Sequence, residues 1–438
     1  MLRRIAALLV GVVGFASHAE ARPKLQGVGT GSVGYTDNVQ SSPDPPVPGV
    51  PEKTGDFFTL LSPGLVLASA DAGAVHRLAY TYTISLFLNE SDANSSSNRV
   101  DYQLFLDPSP RYTLLFGASV LQANRHTAGL LSTPSTTPLT AAVPGTTSFV
   151  QFRGEQALTL EIAQDWRLLQ GAFGLLQTSI TDDEAPRTYE TGGRLGFERV
   201  WITDAAGIEG RADYSLVTNS VLGDGTPVGD QRQLVSAAVL RWRHDWGYDF
   251  ASRLEAGAMR VQRLDSGHGF WEPTGAAAIS YANEEGEAEL SYEHTATTSP
   301  LLGQSYIVDD VRLRGGIPLA EKNIVTLGSS LGYQHGRLIG EDGVLATTLD
   351  VYLADVVLGW QATHELMLDL RYQHAQQRSD ATAPPLPLSY ARNTVMVGAI
   401  VELPPDTEMP RRYRPPRRVD QSDELYDARD PASRANER

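Results

Sequence analysis

Apolar and polar side chains alternate along most of this 438-residue chain. In one of the clearest segments, the apolar face carries Leu78, Tyr80, Tyr82, Ile84, Leu86 and Leu88. The opposite face carries Arg77, Ala79, Thr81, Thr83 and Ser85. A period of two predicts β-strands, because successive side chains of a strand point to opposite faces.

Counting the alternating segments predicts 18 strands and no helix of any length. The expected spans are 24–38, 56–68, 75–89, 98–106, 112–126, 149–164, 168–181, 188–201, 207–218, 231–244, 248–264, 270–282, 287–297, 306–318, 323–339, 345–360, 365–377 and 389–403. Two stretches fit the pattern less clearly. Residues 57–67 resist assignment, and residues 350–360 are largely apolar on both faces.

The connections between the predicted strands alternate between longer and shorter ones. Those after odd-numbered strands reach about 22 residues, whereas those after even-numbered strands stay near 3 to 6, which is the asymmetry of an outer-membrane barrel. We therefore predict an all-β fold: a transmembrane, antiparallel, up-and-down β-barrel of about 18 strands over residues 22–403. The short turns are expected in the periplasm, and the long loops are expected outside the cell.

Aromatic residues lie close to the predicted strand ends. Trp166, Trp201, Trp242, Trp246 and Trp360 are near short turns, and Trp271, Tyr306, Tyr333 and Tyr390 are toward long loops. Rings at both ends of the strands match the interfacial girdles of a barrel. The alternative is a soluble β-sandwich or propeller, but strands in those folds are shorter, at about five or six residues.

Two terminal segments differ from the rest. Residues 1–21 are typical of a secretory signal peptide, because Arg3 and Arg4 precede a short apolar run and Ala19-Glu20-Ala21 is a small-x-small cleavage site. Residues 404–438 are rich in proline and in charges of both signs. A segment of this composition is expected to be disordered, and the barrel topology places it in the periplasm as a charged tail.

Charge and cysteine content narrow the compartment and the partners. The formal net charge of −16 argues against nucleic acid, whose phosphates require a basic surface. The chain has no Cys, which removes disulfides and thiolate chemistry. An exported, acidic, Cys-free chain fits the envelope of a Gram-negative bacterium, with outer-membrane lipid around the barrel.

The polar faces of the predicted strands carry charges of both signs. An arginine facing lipid at the midplane would cost about 2–4 kcal/mol, so these faces are expected to face water in the lumen. The candidate lumen-lining residues are Arg153, Glu155, Arg194, Arg211, Asp213, Arg312, Arg314, Asp369 and Arg371. They suit either a hydrated channel with transverse charge or a ladder of Arg–carboxylate pairs that braces the wall, and the two roles are compatible.

The sequence predicts no catalytic, cofactor-binding or metal-binding residues, and hence no enzyme. Histidines near the outer strand ends are His126, His268, His294, His335 and His374, with Asp380 in the following loop. A His–Asp pair at a rim could activate water. Histidines in such positions are more commonly solvated, however, and no Ser–His spacing supports a nucleophile.

One short motif resembles a known family. Gly34-Tyr35-Thr36-Asp37-Asn38-Val39 is similar to the Gly-Tyr-x-Asp-Asn-Val element of outer-membrane β-barrel porins, several of which are associated with exopolysaccharide export. The predicted layout resembles the integral barrel that accompanies truncated polysaccharide-export proteins. The resemblance implies a conduit for a secreted polysaccharide and a periplasmic polysaccharide-export protein as its partner.

Three functions remain open on the sequence. The first is the polysaccharide conduit, the second is a diffusion porin for small solutes, and the third is a structural or adhesive surface barrel. A conduit for sugars should offer inward aromatic rings for stacking, and only scattered candidates such as Phe87 and Phe105 are present. A nutrient porin usually folds its longest loop into the lumen with acidic residues, whereas residues 127–147 carry no charge.

Overall fold

We describe the fold from a computed structural model of the full chain. The structure describes residues 23–47, 50, 52–70, 73–109, 111–124, 148–180, 187–221, 227–247, 249–283, 285–299, 304–320, 324–339, 344–380 and 389–403. The predicted signal peptide, the predicted tail over 404–438 and the long connection over 127–147 lie outside these residues.

Eighteen strands form one antiparallel sheet that closes on itself. The strands are β1 (Lys24–Thr36), β2 (Asp56–Ala70), β3 (Ala74–Phe87), β4 (Ser95–Ser109), β5 (Tyr112–Asn124), β6 (Ser148–Ala163), β7 (Trp166–Ser179), β8 (Arg187–Val200), β9 (Asp204–Val221), β10 (Pro227–Gly247), β11 (Phe250–Arg263), β12 (Gly269–Asn283), β13 (Gly286–Ser299), β14 (Gln304–Pro318), β15 (Val325–Ile339), β16 (Val344–Gln361), β17 (Leu366–Ser379) and β18 (Tyr390–Leu403). Each strand pairs with its sequence neighbours, and β1 pairs with β18 from Gly27↔Leu403 to Thr36↔Thr394. The predicted 18-stranded, up-and-down barrel is therefore confirmed.

Most observed strands begin and end within a few residues of the predicted bounds. One such difference is at β4, which begins at Ser95, three residues before the predicted start at residue 98. Consecutive serines carry no apolar signal, but Ser95 lies opposite Ser85 and their hydroxyls are 2.7 Å apart. A single 3-10 turn, Ser91–Ala93, is the one helical element among the described residues.

The asymmetry of the connections is also present in the structure. After even-numbered strands the chain turns within two to six residues. The three longest connections, residues 37–55, 125–147 and 380–389, all follow odd-numbered strands. The connections after even-numbered strands therefore lie at one end of the barrel, which we call the turn end, and those after odd-numbered strands, including the three longest, lie at the other, the loop end.

No helix among the described residues is long and apolar enough to cross a membrane.

Candidate functional site: the polar lumen

The two faces of each strand differ in the character of their side chains. In β11 Leu254 is 48% exposed, whereas the next residue, Glu255, is 7% exposed. The same contrast follows β8 to β10, where Leu195 and Leu240 are among the most exposed apolar side chains. In a closed barrel these exposed apolar rows form the outer face, and the alternate residues face the lumen. A closed barrel with such an apolar belt is a transmembrane barrel and fits the predicted location in a Gram-negative outer membrane.

All nine candidate lumen residues lie on the face opposite this belt. Arg153 and Glu155 are on β6, Arg194 on β8, Arg211 and Asp213 on β9, Arg312 and Arg314 on β14, and Asp369 and Arg371 on β17. The structure does not gather them into one site. They are distributed around the inner wall, mostly paired with charges that the sequence prediction did not single out.

The most extensive ionic cluster joins three neighbouring strands. Arg211 Nε lies 2.6 Å from Glu209 Oε1, and the same guanidinium binds Glu255 through Nη2. Arg241 Nη1 lies 2.7 Å from Glu209 Oε2, and its Nε lies 3.2 Å from Glu255 Oε1. Each carboxylate therefore contacts both guanidiniums. This four-residue network ties β9, β10 and β11 together on the lumen side.

A second kind of pair lies within a single strand. Arg99 binds Asp101 through two hydrogen bonds of 2.8 and 3.0 Å, and Arg153 lies 3.2 Å from Glu155. Residues two apart share a face of a strand, so an Arg can reach a carboxylate at that spacing. Such pairs hold both charges on the inner wall and reduce the net field across the lumen.

The remaining candidates have individual partners. Arg312 Nε donates to Asp310 at 3.0 Å, Arg314 lies 3.0 Å from Glu289, and Arg371 Nε donates to Asp355 at 2.6 Å. Three others lie over glycines of adjacent strands. Those three pairs are Arg194 over Gly171, Asp213 over Gly192 and Asp369 over Gly398. The small residues leave room for the long polar side chains on the inner face.

The inner wall is not uniformly charged. We call β8–β11 the charged sector, and we call β18, β1 and β2, where the barrel closes, the closing sector. In the middle of the closing sector the inward residues are uncharged: Val28, Thr30, Ser32, Leu60, Ser62, Thr394 and Met396. The lumen therefore has an ionic side and a neutral, hydroxyl-bearing side.

The first long connection folds against the closing sector. Asp37 accepts hydrogen bonds from Asn393 N and Nδ2 at 2.7 and 2.8 Å. Asn38 Nδ2 donates to Ala391 O at 3.0 Å and to Ser42 O at 2.9 Å. These contacts pin the start of the connection to β18, and the connection narrows the loop end of the barrel.

An apolar cluster completes this anchor. Val39 is fully buried against Phe58, Phe87 and Met396, all of which face inward. The motif Gly34–Val39 therefore has a structural role, because its last three residues fasten the first connection to the inner wall. Phe87, a candidate for stacking on sugar rings, is covered in this cluster.

A repeated pattern at the loop end was missed by the sequence prediction. The sequence Leu-x-Tyr-x-His occurs on β13, β15 and β17, and each Tyr and His contacts one side chain of the following strand. The three groups are Tyr292 and His294 with Asp309, Tyr333 and His335 with Asp350, and Tyr372 and His374 with Asn393. In each, the Tyr hydroxyl donates at 2.7–2.9 Å and His Nδ1 lies 2.7–2.8 Å from the same oxygen. Spacings of about 40 residues between the repeats could have revealed them as one feature.

These groups lie on the outer face and give His294, His335 and His374 a structural role. A ring with a polar tip suits the boundary between lipid and water. His374 contacts Asn393, while Asp380 Oδ1 accepts from Thr348 N at 3.0 Å, so these two candidates for a catalytic pair have different partners. His126 lies outside the described residues.

Two aromatic predictions are wrong. Tyr306 and Tyr390 were expected in the outer girdle, but they are 1% and 5% exposed and face the interior. Trp271, in contrast, is 69% exposed on the outer face, and Trp201, Trp246 and Trp360 are exposed near the turn end. Alternation identifies a strand, but it does not show whether the residues at the end of that strand face lipid or the interior of the barrel.

The described residues contain no group of three or more His, Asp or Glu side chains that could hold a metal ion.

Comparisons with known proteins give likenesses of fold only. No family model matches the chain, and no curated protein sequence matches it. The iron transporter FrpB of Neisseria meningitidis (F5-1 variant) is 9% identical, with 87% of this chain and 83% of that chain covered and a TM-score of 0.48. OccK2 (OpdF) of Pseudomonas aeruginosa, solved in complex with glucuronate, is 14% identical, with coverages of 87% and 98% and a TM-score of 0.43. OccK1 (OpdK) of the same organism is 11% identical, with coverages of 87% and 99% and a TM-score of 0.43. Likenesses at this level carry no argument about what the present chain transports or binds.

Proposed function

We propose that the chain is a passive outer-membrane channel for small hydrophilic solutes. The observation that carries the proposal is the charged and internally paired inner wall of a closed 18-stranded barrel. A barrel of 16 to 18 strands is wide enough to enclose an aqueous channel. Charged side chains on its inner face are most stable when water fills that space.

The pairing of charges has a consequence for selectivity. Carboxylates and guanidiniums alternate through the network of Glu209, Arg211, Arg241 and Glu255, so neither sign dominates the charged sector. We expect weak ion selectivity, with solutes of either charge admitted. The anchored first connection narrows the loop end and favours small solutes over large ones.

Conduction in planar bilayers tests the proposal. Purified protein should give discrete conductance steps that grow in proportion to salt concentration, as a water-filled pore requires. Insertion without conductance, in protein that shows the heat-modifiable migration of a folded barrel, would contradict the channel and favour a structural or adhesive barrel.

Export of a polysaccharide is a second candidate, and the closing sector favours it. Its inward hydroxyls, including Thr30 and Ser32, could hydrogen-bond sugar hydroxyls. Against this candidate, the inward rings of Phe58, Phe87 and Tyr306 are buried and offer no face for stacking.

In the export function, a periplasmic polysaccharide-export protein would meet the barrel at the turn end. Residues 404–438, which carry charges of both signs, would be the docking arm. Truncation after Leu403 should leave the barrel inserted while polysaccharide secretion falls. Normal secretion at normal protein abundance would contradict the docking role.

Block of the ionic current by added solutes separates the two candidates. A neutral oligosaccharide should interrupt the current of a sugar conduit at concentrations where a small zwitterion of similar size does not. Equal and weak effects of both solutes would favour general diffusion.

A further inference from the structure

The wall of the barrel is incompletely paired between β12 and β13. Their register runs from Asn283↔Gly286 only to Gly275↔His294. Beyond that point β12 pairs only with β11, as far as Gly269, and β13 pairs only with β14, as far as Ser299. At every other junction between described strands, at least one strand ends within three residues of the last pair. Only here do both strands continue for five residues or more without meeting.

The free part of β13 folds into the barrel with β14. We call residues 295–299 and 304–308 the hairpin top. Thr298 Oγ1 lies 3.1 Å from Ser215 Oγ, although β9 is four strands away in the wall. Ile307 is fully buried in a cluster with three inward side chains of β10 and β11. Those side chains are Val235, Met259 and Val261.

The hairpin top therefore lies inside the wall, beneath β9–β11. Its outer face covers the lumen side of those strands, and its inner face carries Tyr306 and Val308, which are buried with residues of β15 and β16. The loop end of the barrel is narrowed on this side, opposite the anchored first connection.

The two free edges are nevertheless in register with each other. Continuing the pairing past Gly275↔His294 places Trp271 opposite Thr298 and Phe270 opposite Ser299. The paired positions share a face, because the extension keeps the alternation of both strands. Free strand edges hold unpaired backbone N–H and C=O groups, which favour pairing when a partner edge is near.

We propose that the hairpin top is a gate at the loop end of the channel. In the closed state, which this structure shows, it is tucked beneath β9–β11. In the open state it swings outward together with the end of β15, to which residues 306–308 are paired, and residues 295–299 zip onto the free edge of β12. The closed state buries Ile307, Met259 and Val261, whereas the open state exchanges that burial for backbone hydrogen bonds along the wall. The role in permeation rests on the proposed channel function.

Pro273 limits the stability of the open state. It lies in the free part of β12 and has no N–H, so a ladder zipped across it has fewer donors than an ordinary one.

Cysteine pairs can trap each state, because the chain has no Cys of its own. Three double variants share Thr298→Cys. Adding Ser215→Cys locks the tucked state, where the two hydroxyls are 3.1 Å apart. Adding Trp271→Cys traps the zipped state, in which those residues are opposite. Adding Ser305→Cys is the matched control, because Ser305 lies 2.9 Å from Thr298 within the same hairpin and its bond leaves the hairpin free to move.

The cross-linking itself tests the gate without any conductance. We expect all three pairs to form a disulfide under mild oxidation of the folded barrel, as shown by mass spectrometry. Failure of the Trp271→Cys pair to cross-link, while the other two do, would overturn the open state. That result would leave the channel function standing.

Conductance then tests what the gate does. Oxidation of the Ser215→Cys pair should lower the bilayer conductance by about tenfold or more relative to its reduced form, since the lock removes the open population. The Ser305→Cys pair should conduct equally in both redox states. If all three oxidised proteins conduct alike, the hairpin top is no gate; if none conducts in either redox state, the channel function itself fails.

Discussion

The charged sector and the closing sector face the same lumen but hold their strands together in different ways. In the charged sector, Arg211 and Arg241 each bridge two carboxylates on neighbouring strands. In the closing sector, the strands approach closely over small residues, and the first connection is fastened on top by Asp37 and Asn38. One sector uses ions and the other uses close packing.

The two sectors place different requirements on the surroundings of their inward side chains. Ions on an inner wall are stable only when each has an opposite charge and water within reach. Small residues need no partner, but they leave little space for any larger side chain. The two sectors should therefore fail through different kinds of substitution.

Loss of a shared carboxylate should have the largest effect. Glu209→Gln leaves Arg211 and Arg241 each with Glu255 alone, and removing one partner of a buried charge pair costs about 3–5 kcal/mol. Because Glu255 still contacts both guanidiniums, we expect a loss toward the lower end of this range. Urea unfolding of the barrel, followed by its electrophoretic mobility, measures the change.

The matched control is Glu198→Gln in the same sector. Its contact with Arg167 is 3.9 Å long, so its loss should be small. Equal destabilisation by the two variants would show that the network has no special role.

A larger side chain should damage the closing sector next most strongly. A Cβ atom on Gly34 would lie 2.5 Å from Val395 O and 2.9 Å from Phe58 Cζ. We expect Gly34→Val to cost about 1–3 kcal/mol, which is typical of overpacking. The yield of folded barrel and its unfolding midpoint measure the effect.

Gly29 on the same strand provides the control, because a Cβ atom there meets nothing within 4 Å. Gly29→Val should be nearly neutral. A comparable loss for both glycines would mean that strand flexibility, rather than close approach, explains the result.

Loosening the first connection should have a smaller and more local effect. Asp37→Ala removes the acceptor of two hydrogen bonds from Asn393, and we expect a cost of about 1–2 kcal/mol. Hydrogen exchange should quicken in residues 37–47 but not in the turns at the other end. Unchanged protection there would argue that the apolar contact of Val39 alone holds the connection.

Replacing lumen acids by neutral residues should have the smallest effect on stability. Its effect on ion selectivity should distinguish the charged sector from the closing sector. Glu190 lies on the same face of β8 as Arg194. Replacing Glu190 and Asp213 by Gln and Asn should move the reversal potential in a salt gradient toward anion preference. The control, Ser32→Asn in the closing sector, changes side-chain size without changing charge and should leave the reversal potential where it was. A shift of equal size in both would show that pore geometry sets selectivity.

Much of the barrel could be predicted because alternate residues of a strand face lipid and the lumen, so apolar and polar side chains alternate along the sequence. Leu366, Leu368 and Leu370 alternate with Asp369 and Arg371, and that pattern alone places lipid on one side and the lumen on the other. The apolar inner face of residues 350–360 was harder to interpret. Leu349, Val351 and Leu353 belong to a buried cluster on the lumen side, which an isolated strand pattern cannot show.

Partners across strands were beyond the sequence. Arg211 could be paired with Glu209 by its spacing of two, but Glu255 is 44 residues away and meets it only through the register of β10. The Leu-x-Tyr-x-His repeats can be found in the sequence. The acceptors that each Tyr and His share, Asp309, Asp350 and Asn393, can be identified only from the pairing of neighbouring strands.

The sequence by itself determined the strand number, the alternation of lumen and lipid faces, and the difference between the two ends, because these follow from local periodicity and loop length. Only the tertiary structure shows where the strands of the wall are not paired with their neighbours along their full length. Residues 295–299 belong to β13 like the paired residues before them, but they leave the wall, and Ile307 of the next strand is buried beneath β10 and β11. A local pattern states which side chains avoid water, whereas only the closed barrel decides which surface covers them.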